Sequence, residues 1–299
     1  MREWLEYVPV WLLLRVLGLL PRSAARAVGI AVGRLVYWLH PRLRRVGARN
    51  LELAFPEKSA GERARILRGM YATLGRQLAD FAHLPRFTGE NIADLVVHDG
   101  LEHYLAARDR GKGVLFATAH VGGWEIGSYG HALYGHPLQM VVRPLDNARL
   151  DRLVERYRTR SGNRTFPKED FARGLLAATR DGQTVGILMD TNMTPPQGVF
   201  VPFFGRLACT ASGLARVALR TDAAVVPGFT IWDEQLGKYR IRFDPALELV
   251  RTGNDEADAV ANTALCTQVI EKYVRQHPEQ WLWVHRRWKT RPPGEPPLY

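Results

Sequence analysis

The stretch GVLFATAHVGGWEIG, residues 113–127, sets a histidine and a carboxylate five positions apart across a pair of glycines. The apolar run ending at His120 has the length and composition of a buried strand, and Gly122-Gly123 reads as a turn into a helix starting near Trp124. On one continuous helix His120 and Glu125 would lie about 140° apart at 3.6 residues per turn. On one continuous strand they would point to opposite faces. A bend is therefore what lets Glu125 reach the imidazole, and the glycines supply it. A carboxylate bonded to one ring nitrogen fixes the tautomer and leaves the other nitrogen as a base, the orienting half of a catalytic triad. The same spacing also fits a loop histidine beside a glutamate stabilised by a helix N-terminus.

No serine, cysteine or threonine stands where this motif would need a nucleophile. A His/Glu dyad without one implies that the substrate brings its own hydroxyl and that His120 deprotonates it. With water in that place the same dyad would be a thioesterase. No His/Cys/carboxylate cluster has metal-ligand spacing, and His120 with Glu125 does not make H-E-x-x-H. The chemistry requires neither metal nor cofactor.

Further strands are expected at QMVVRP (139–144), TVGILMD (184–190), AAVVPGFTIW (223–232) and YRIRFDP (239–245), with helices at 147–161, 169–181, 212–222 and 255–276. Residues 51–112 read as helices, with Ser59 capping the one that follows it. The fold class is therefore α/β: a mainly parallel mixed sheet flanked by helices. In such sheets, sites gather at the carboxyl ends of strands, where His120, Arg143 and Asp190 all fall.

In the helix from Asn147, the stripe Leu150, Leu153, Val154 and Tyr157 should pack on the sheet. Arg149, Arg152, Arg156 and Arg160 share one flank, a ridge suited to an acidic partner or lipid phosphates, or simply to solvent. Arg158 lies on the other flank, about 90° from the stripe centre at 100° per residue, where it projects into a neighbouring cleft. After Asp190, TNMTPPQGVFVPFFGR is apolar for a loop, and Phe203 and Phe204 are candidates to line a groove for a hydrocarbon chain or to fold onto the core. The tail PEQWLWVHRRWKTRPPGEPPLY concentrates Trp281, Trp283 and Trp288 with His285, Arg286, Arg287, Lys289 and Arg291. Tryptophan beside arginine suits a membrane interface or a phosphorylated headgroup.

The chain has 299 residues, 46% of them hydrophobic, and a formal charge of +11, so its preferred partners are anionic. A non-catalytic protein of the membrane surface or of nucleic acid would use that charge too, but no RNP, KH or helix-turn-helix pattern supports nucleic acid. The two cysteines, Cys209 and Cys266, lie in no metal or redox spacing, consistent with a reducing compartment. Residues 4–20 are strongly apolar but carry Glu6, Pro9 and Arg15, marginal for a spanning helix. A second amphipathic run, Ala24 to Leu39, ends in Arg42, Arg44, Arg45 and Arg49. Apolar helices followed by arginines suit a segment lying in or crossing an anionic membrane. Residues 1–50 are accordingly taken as membrane-associated helices with their basic cluster, and 51–299 as the α/β domain.

These segments together resemble the bacterial lipid A biosynthesis (lauroyl/myristoyl) acyltransferase family. The resemblance is carried by AHVGGWE at His120 and Glu125, VVRPLDN at 141–147, RYRTRSGN at 156–163, GILMD at 186–190, GVFVPFFG at 198–205 and PEQWLWVHRRWKTRP at 278–292. Upstream, RRVGARNLELAFPE at 44–57 matches as well. The family implies an acyltransferase-like fold with an N-terminal anchor on the cytoplasmic face of the inner membrane. It implies transfer of a fatty acyl group from acyl carrier protein, or acyl-CoA, to a hydroxyl of a membrane glycolipid, most often a lipid A precursor. Related members acylate phosphatidylinositol mannosides or ornithine-type lipids. The family's dyad falls on His120 and Glu125, its arginine on Arg158 as the oxyanion donor, and its strand-end aspartate on Asp190, expected to hold Arg158 or a backbone turn. Substrate contacts are then expected from Arg143, Asp146, Asn147, Arg160, Phe203, Phe204, Trp283, His285, Arg286 and Arg287, and carrier-protein contacts from Arg149, Arg152 and Arg156.

Overall fold

The computed structural model describes residues 2–167 and 171–299. Four helices come first: α1 (Arg2–Leu19), α2 (Arg22–Leu39), α3 (Pro41–Ala54) and α4 (Ala60–His83). There follow β1 (Val96–Asp99), α5 (Leu101–Arg108), β2 (Val114–Thr118), α6 (Trp124–Leu133), β3 (Gln139–Val142), α7 (Ala148–Thr159), β4 (Arg164–Pro167) and α8 (Phe171–Arg180). The chain continues through β5 (Thr184–Leu188), β6 (Gly198–Phe203), β7 (Arg206–Ala211), α9 (Gly213–Thr221), β8 (Ala224–Asp233), β9 (Lys238–Phe243) and α10 (Asp255–Gln276). The helix expected at 169–181 is seen from Phe171, its first two positions lying outside the described residues.

The five strands expected from sequence, joined by β1 and β4, build a seven-stranded sheet in the order β1-β9-β8-β2-β5-β3-β4. Neighbours run parallel except β8 and β9. β2, buried along most of its length, lies between β8 and β5. One face of the sheet carries a core that includes residues of α8, α9, α10 and the tail tryptophans, and the other packs on α5 and α6. Two short strands were hidden from the sequence reading: β1, inside a stretch taken as helical, and β4, with only four residues. The stretch after Asp190, expected as a loop, is a separate antiparallel hairpin of β6 and β7. At its turn Phe204 and Gly205 both take positive φ, at 52° and 70°.

Ser59 caps α4 as expected, in a full capping box with Glu62. α2 lies directly on α4 because small residues face each other: a Cβ on Gly29 would stand 2.2 Å from the Gly75 carbonyl oxygen. The α7 stripe meets helices as well as the sheet-side core, which Tyr157 alone of the stripe reaches. Leu153 and Tyr157 pack with Leu14 and Leu17 of α1 and Ala79 and Ala82 of α4, and Tyr157 stacks on Phe81 with centroids 4.8 Å apart. α1 and α2 leave a broad apolar surface open, with Leu5, Leu12, Leu19, Leu35, Trp38 and Leu39 more than half exposed. Among the described residues no helix is long and apolar enough to cross a membrane.

Candidate active site

Two parallel neighbours in register bring the key pair together. β2 and β5 are matched Thr118 to Leu188, and two residues beyond that match on each strand stand His120 and Asp190. The Asp190 Oδ1 accepts from His120 Nδ1 at 2.8 Å, and Oδ2 accepts from the His120 backbone N–H at 2.9 Å. Trp281 donates its indole N–H to the same Oδ2 at 2.7 Å. Asp190 is almost fully buried, whereas the imidazole keeps 20% of its surface open. Among the described residues no protein group bonds the imidazole Nε2.

Electrostatics agree with that geometry. Burial alone would raise the Asp190 carboxyl, but His120, through its charge and its hydrogen bonds, and the Trp281 indole hold it at about 2. Burial likewise pushes the His120 imidazole down. Asp190 first, and Glu125 after it, outweigh that against the opposing charge of Arg158, leaving the pKa above its ordinary value. Asp190 is thus an ionised acceptor at neutral pH. It keeps the ring proton on Nδ1 and leaves the lone pair on Nε2.

The expected His120–Glu125 hydrogen bond is not made. The glycine bend forms as the sequence suggested: Gly122 has φ +60°, and a Cβ there would sit 1.9 Å from the Thr230 carbonyl oxygen. It starts α6 so that Glu125 turns toward α7, where Arg158 Nε donates to both carboxylate oxygens at 3.1 and 3.0 Å and Nη2 to Oε1. Of the two roles expected for Asp190, the backbone turn is the one seen: it accepts the His120 N–H just beyond β2 and fixes the imidazole, while Arg158 is held by Glu125. Arg158 does project from its flank into this cleft. Burial opposes its charge, but Glu125 more than offsets it and raises the guanidinium pKa. Trp124, next to Glu125, covers one side of the imidazole edge-on at 5.0 Å. Among the described residues, the cleft thus presents a base with a free nitrogen beside an ion pair whose guanidinium has no hydrogen bond on Nη1.

A profile of the bacterial lipid A biosynthesis acyltransferase family matches residues 1–290. The chain belongs to that family. It is 30% identical to an Escherichia coli protein named lipid A biosynthesis lauroyltransferase over 303 residues, covering 100% of this chain and 95% of that one. It is 28% identical to an E. coli lipid A biosynthesis palmitoleoyltransferase over 100% of this chain and 97% of that protein. A Haemophilus influenzae lipid A biosynthesis acyltransferase is 27% identical over 97% of this chain and 90% of its own. The protein is an acyltransferase of this family.

Several residues expected at the acyltransferase's substrate site have other partners. Phe203 and Phe204 do not line an open groove; both are buried, Phe204 against Phe55 and Phe203 against Trp281 and Trp288. Trp281, Trp283 and Trp288 are at most 1% exposed, so they are core side chains and no interfacial belt. Arg287 is fully buried and donates to the carbonyl oxygens of Thr191 and Cys209 and to Thr210, tying the loop after Asp190 to β7. Burial lowers its pKa to about 10, with Asp190 opposing. His285 accepts the Asn192 backbone N–H on Nε2 at 2.8 Å, in the same loop. Asn147 caps α7 and donates to the Glu3 carbonyl oxygen and to Glu6. Arg149 turns away from the ridge to lie 3.8 Å over the Trp4 ring. Arg143 and Asp146 form an exposed pair at 3.5 Å, and Arg160 lies against the Tyr129 hydroxyl. Of the arginines expected to meet a carrier, Arg152 and Arg156 remain outward-facing. Arg286 is exposed over Tyr299.

Sequence reasoning missed Trp281 as the partner of Asp190, since an indole donor leaves no spacing signature. The role of Asp190 was closer to hand. Both expected strands ended on their polar residue, and a parallel pairing of the two places those residues opposite each other.

Proposed function

We propose that this acyltransferase moves a fatty acyl group from a thioester donor, acyl carrier protein or acyl-CoA, onto a hydroxyl of a lipid A precursor at the cytoplasmic face of the inner membrane. The observation that carries this reading is the imidazole itself: Nδ1 bound to a buried, ionised Asp190 and Nε2 free in a cleft with Arg158.

In this mechanism His120 Nε2 takes the proton of the acceptor hydroxyl as its oxygen attacks the thioester carbonyl, which contributes typically about 10²–10⁴ in rate. The negative charge passes to the carbonyl oxygen, where Arg158, held by Glu125, offers its remaining Nη1 protons. Collapse re-forms the carbonyl, breaks the C–S bond and expels the thiolate, which recovers the proton from the imidazolium. Glu125 is then a positioning residue for Arg158, and Asp190 one for His120. The exposed apolar side chains of α1 and α2 rest in the membrane interface, and Arg152 with Arg156 meets the acidic carrier. The three relatives named for lipid A support the acceptor.

The test is turnover of an acyl-carrier-protein thioester with and without a lipid A precursor, the product read by mass spectrometry. An acylated precursor, lost in His120→Ala while the fold persists, is expected. Thioester consumption that ignores the acceptor makes the protein a thioesterase, and full turnover in His120→Ala removes the base.

A further inference from the structure

One face of α3 carries positive charge that few carboxylates answer. Arg42, Arg45 and Arg49 stand at i, i+3 and i+7 of that helix and so share one side of it. Arg286, from the segment after α10, joins them around a groove of about 440 Å³ that Val46, Leu298 and Tyr299 complete. The groove is tied together from both sides. Arg49 Nε donates to the Leu298 carbonyl oxygen at 3.0 Å, Tyr299 donates its hydroxyl proton to Asn50, and Arg286 lies 5.8 Å over the Tyr299 ring. Arg49 has one acidic neighbour, Glu52 at 3.3 Å on the exposed surface. No ion pair is formed by Arg42, Arg45 or Arg286 among the described residues. Guanidinium groups grouped without counter-charge repel one another, and they suit planar, multidentate recognition of phosphate.

The surroundings decide what kind of anion fits. Leu35, Trp38, Leu39 and Leu43, at the end of α2 and the start of α3, are all solvent-facing, Trp38 to 69% and Leu39 to 65%. Apolar side chains followed at once by arginines match the depth profile of a bilayer surface, acyl chains below and phosphates above. An acidic protein helix would complement the arginines but leave Trp38 and Leu39 against its own polar surface.

The geometry points to a docking groove for a phosphorylated lipid headgroup: Arg42, Arg45, Arg49 and Arg286 hold the phosphate of an anionic membrane lipid while Leu35, Trp38, Leu39 and Leu43 enter its acyl layer. This deepens the membrane part of the proposed function and rests on it, but it is independent of His120. Each arginine near an anionic surface contributes about 1 kcal/mol, or roughly fivefold in binding.

The test is co-sedimentation of the full chain with vesicles of phosphatidylcholine alone and of phosphatidylcholine mixed with phosphatidylglycerol. The triple variant Arg42→Gln, Arg45→Gln, Arg286→Gln is compared with a control that removes equal charge elsewhere, Arg180→Gln, Arg206→Gln, Arg220→Gln. The groove variant is expected to lose the phosphatidylglycerol-dependent gain by about 100-fold while keeping its binding to phosphatidylcholine, and the control to keep both. Equal losses in the two variants, or none in the groove variant, overturn the proposal. Displacement from mixed vesicles by inorganic phosphate at the same low concentration as the lipid overturns the lipid source, leaving a free-phosphate site. A raised KM for carrier protein in the groove variant with unchanged vesicle binding overturns it in favour of a protein partner. Binding is read without turnover, so an error in the assigned acceptor or base leaves these results standing.

Discussion

Replacing Asp190 by asparagine tests the core of the mechanism, because the side chain is nearly isosteric but can accept through only one oxygen. In the native site Oδ2 accepts two N–H groups, from the His120 backbone and the Trp281 indole, while Oδ1 accepts the imidazole Nδ1–H. The amide oxygen of the introduced side chain satisfies two donors when it takes the Oδ2 place, which turns its NH₂ toward Nδ1. A donor facing Nδ1 forces the ring proton onto Nε2, the nitrogen that must accept from the hydroxyl. The fold survives and the base is lost. The same substitution behind a serine-protease histidine lowers kcat about 10⁴-fold through the wrong tautomer, so a fall of about 10³–10⁴ is expected in Asp190→Asn. The pH profile gives a second, independent readout. The proposed mechanism needs neutral His120, so on it the rate rises as pH climbs through the imidazole pKa, which Asp190 holds above the ordinary value. Removing the carboxylate lowers that pKa, and the acid limb of the residual activity moves to lower pH. Single-turnover rates across pH, with circular dichroism as the check on folding, decide the matter. A variant within about tenfold of the native kcat and with an unmoved acid limb would show that His120 is not oriented by this carboxylate.

Three further outcomes follow from the same contacts. Trp281→Phe removes one donor from Asp190 and should cost about 1.5–3 kcal/mol in urea unfolding. Asp190 has a folded pKa held at about 2 against an ordinary 3.8, so its contribution is full above the unfolded value and fades as pH falls toward 2. In Trp281→Phe the acid-unfolding midpoint should therefore move up. Asp80→Ala leaves Arg26 without the buried carboxylate it meets at 2.8 Å and Tyr239 without its acceptor, a loss of about 3–5 kcal/mol; Arg26→Met in the same chain should recover part of it. Arg152→Glu with Arg156→Glu should raise the KM for acyl carrier protein and flatten its salt dependence with little change in kcat; an unchanged KM gives that ridge another role.

Periodicity made most of the fold legible. α10 spans Asp255–Gln276 as expected, and the strands at 114, 139, 184, 224 and 238 match the expected segments to within a residue at the overrun ends of β8 and β9, because their apolar runs are bounded by polar and glycine turns. What failed was local where the deciding force is distant. β1 and β4 are four residues each, too short for a period, and exist because β9 and β3 offer them a ladder. Phe203, Trp283 and Arg287 looked like groove and headgroup residues because composition cannot tell an apolar surface from an apolar core. In the fold the tail runs back beside the loop after β2, with Val121 bridged to Trp281, and its aromatic side chains fill the space behind Asp190. A histidine and a glutamate five apart suggested a dyad. The ion pair Glu125 forms instead depends on α7, whose position no local pattern specifies.

That position ties the N-terminal helices to the chemistry. α7 carries Arg158 near its end, and its beginning is held by α1: Asn147 donates to Glu3 and Glu6, and Arg149 stacks on Trp4. Further along, Leu153 and Tyr157 share a core with Leu14, Leu17 and the α4 alanines. A helix wedged on one side by α1 and on the other by the Glu125–Arg158 pair has little freedom to tilt without breaking one of them. Shifts of about 1 Å at a reacting group cost on the order of 100-fold in rate. Under the proposed membrane association, loosening α1 should thus disturb Arg158 as well as vesicle binding, and the two effects separate in the assay. Asn147→Ala should lower kcat while vesicle binding through the apolar face of α2 persists, whereas an anchor that acted only as a tether would lose binding and keep kcat.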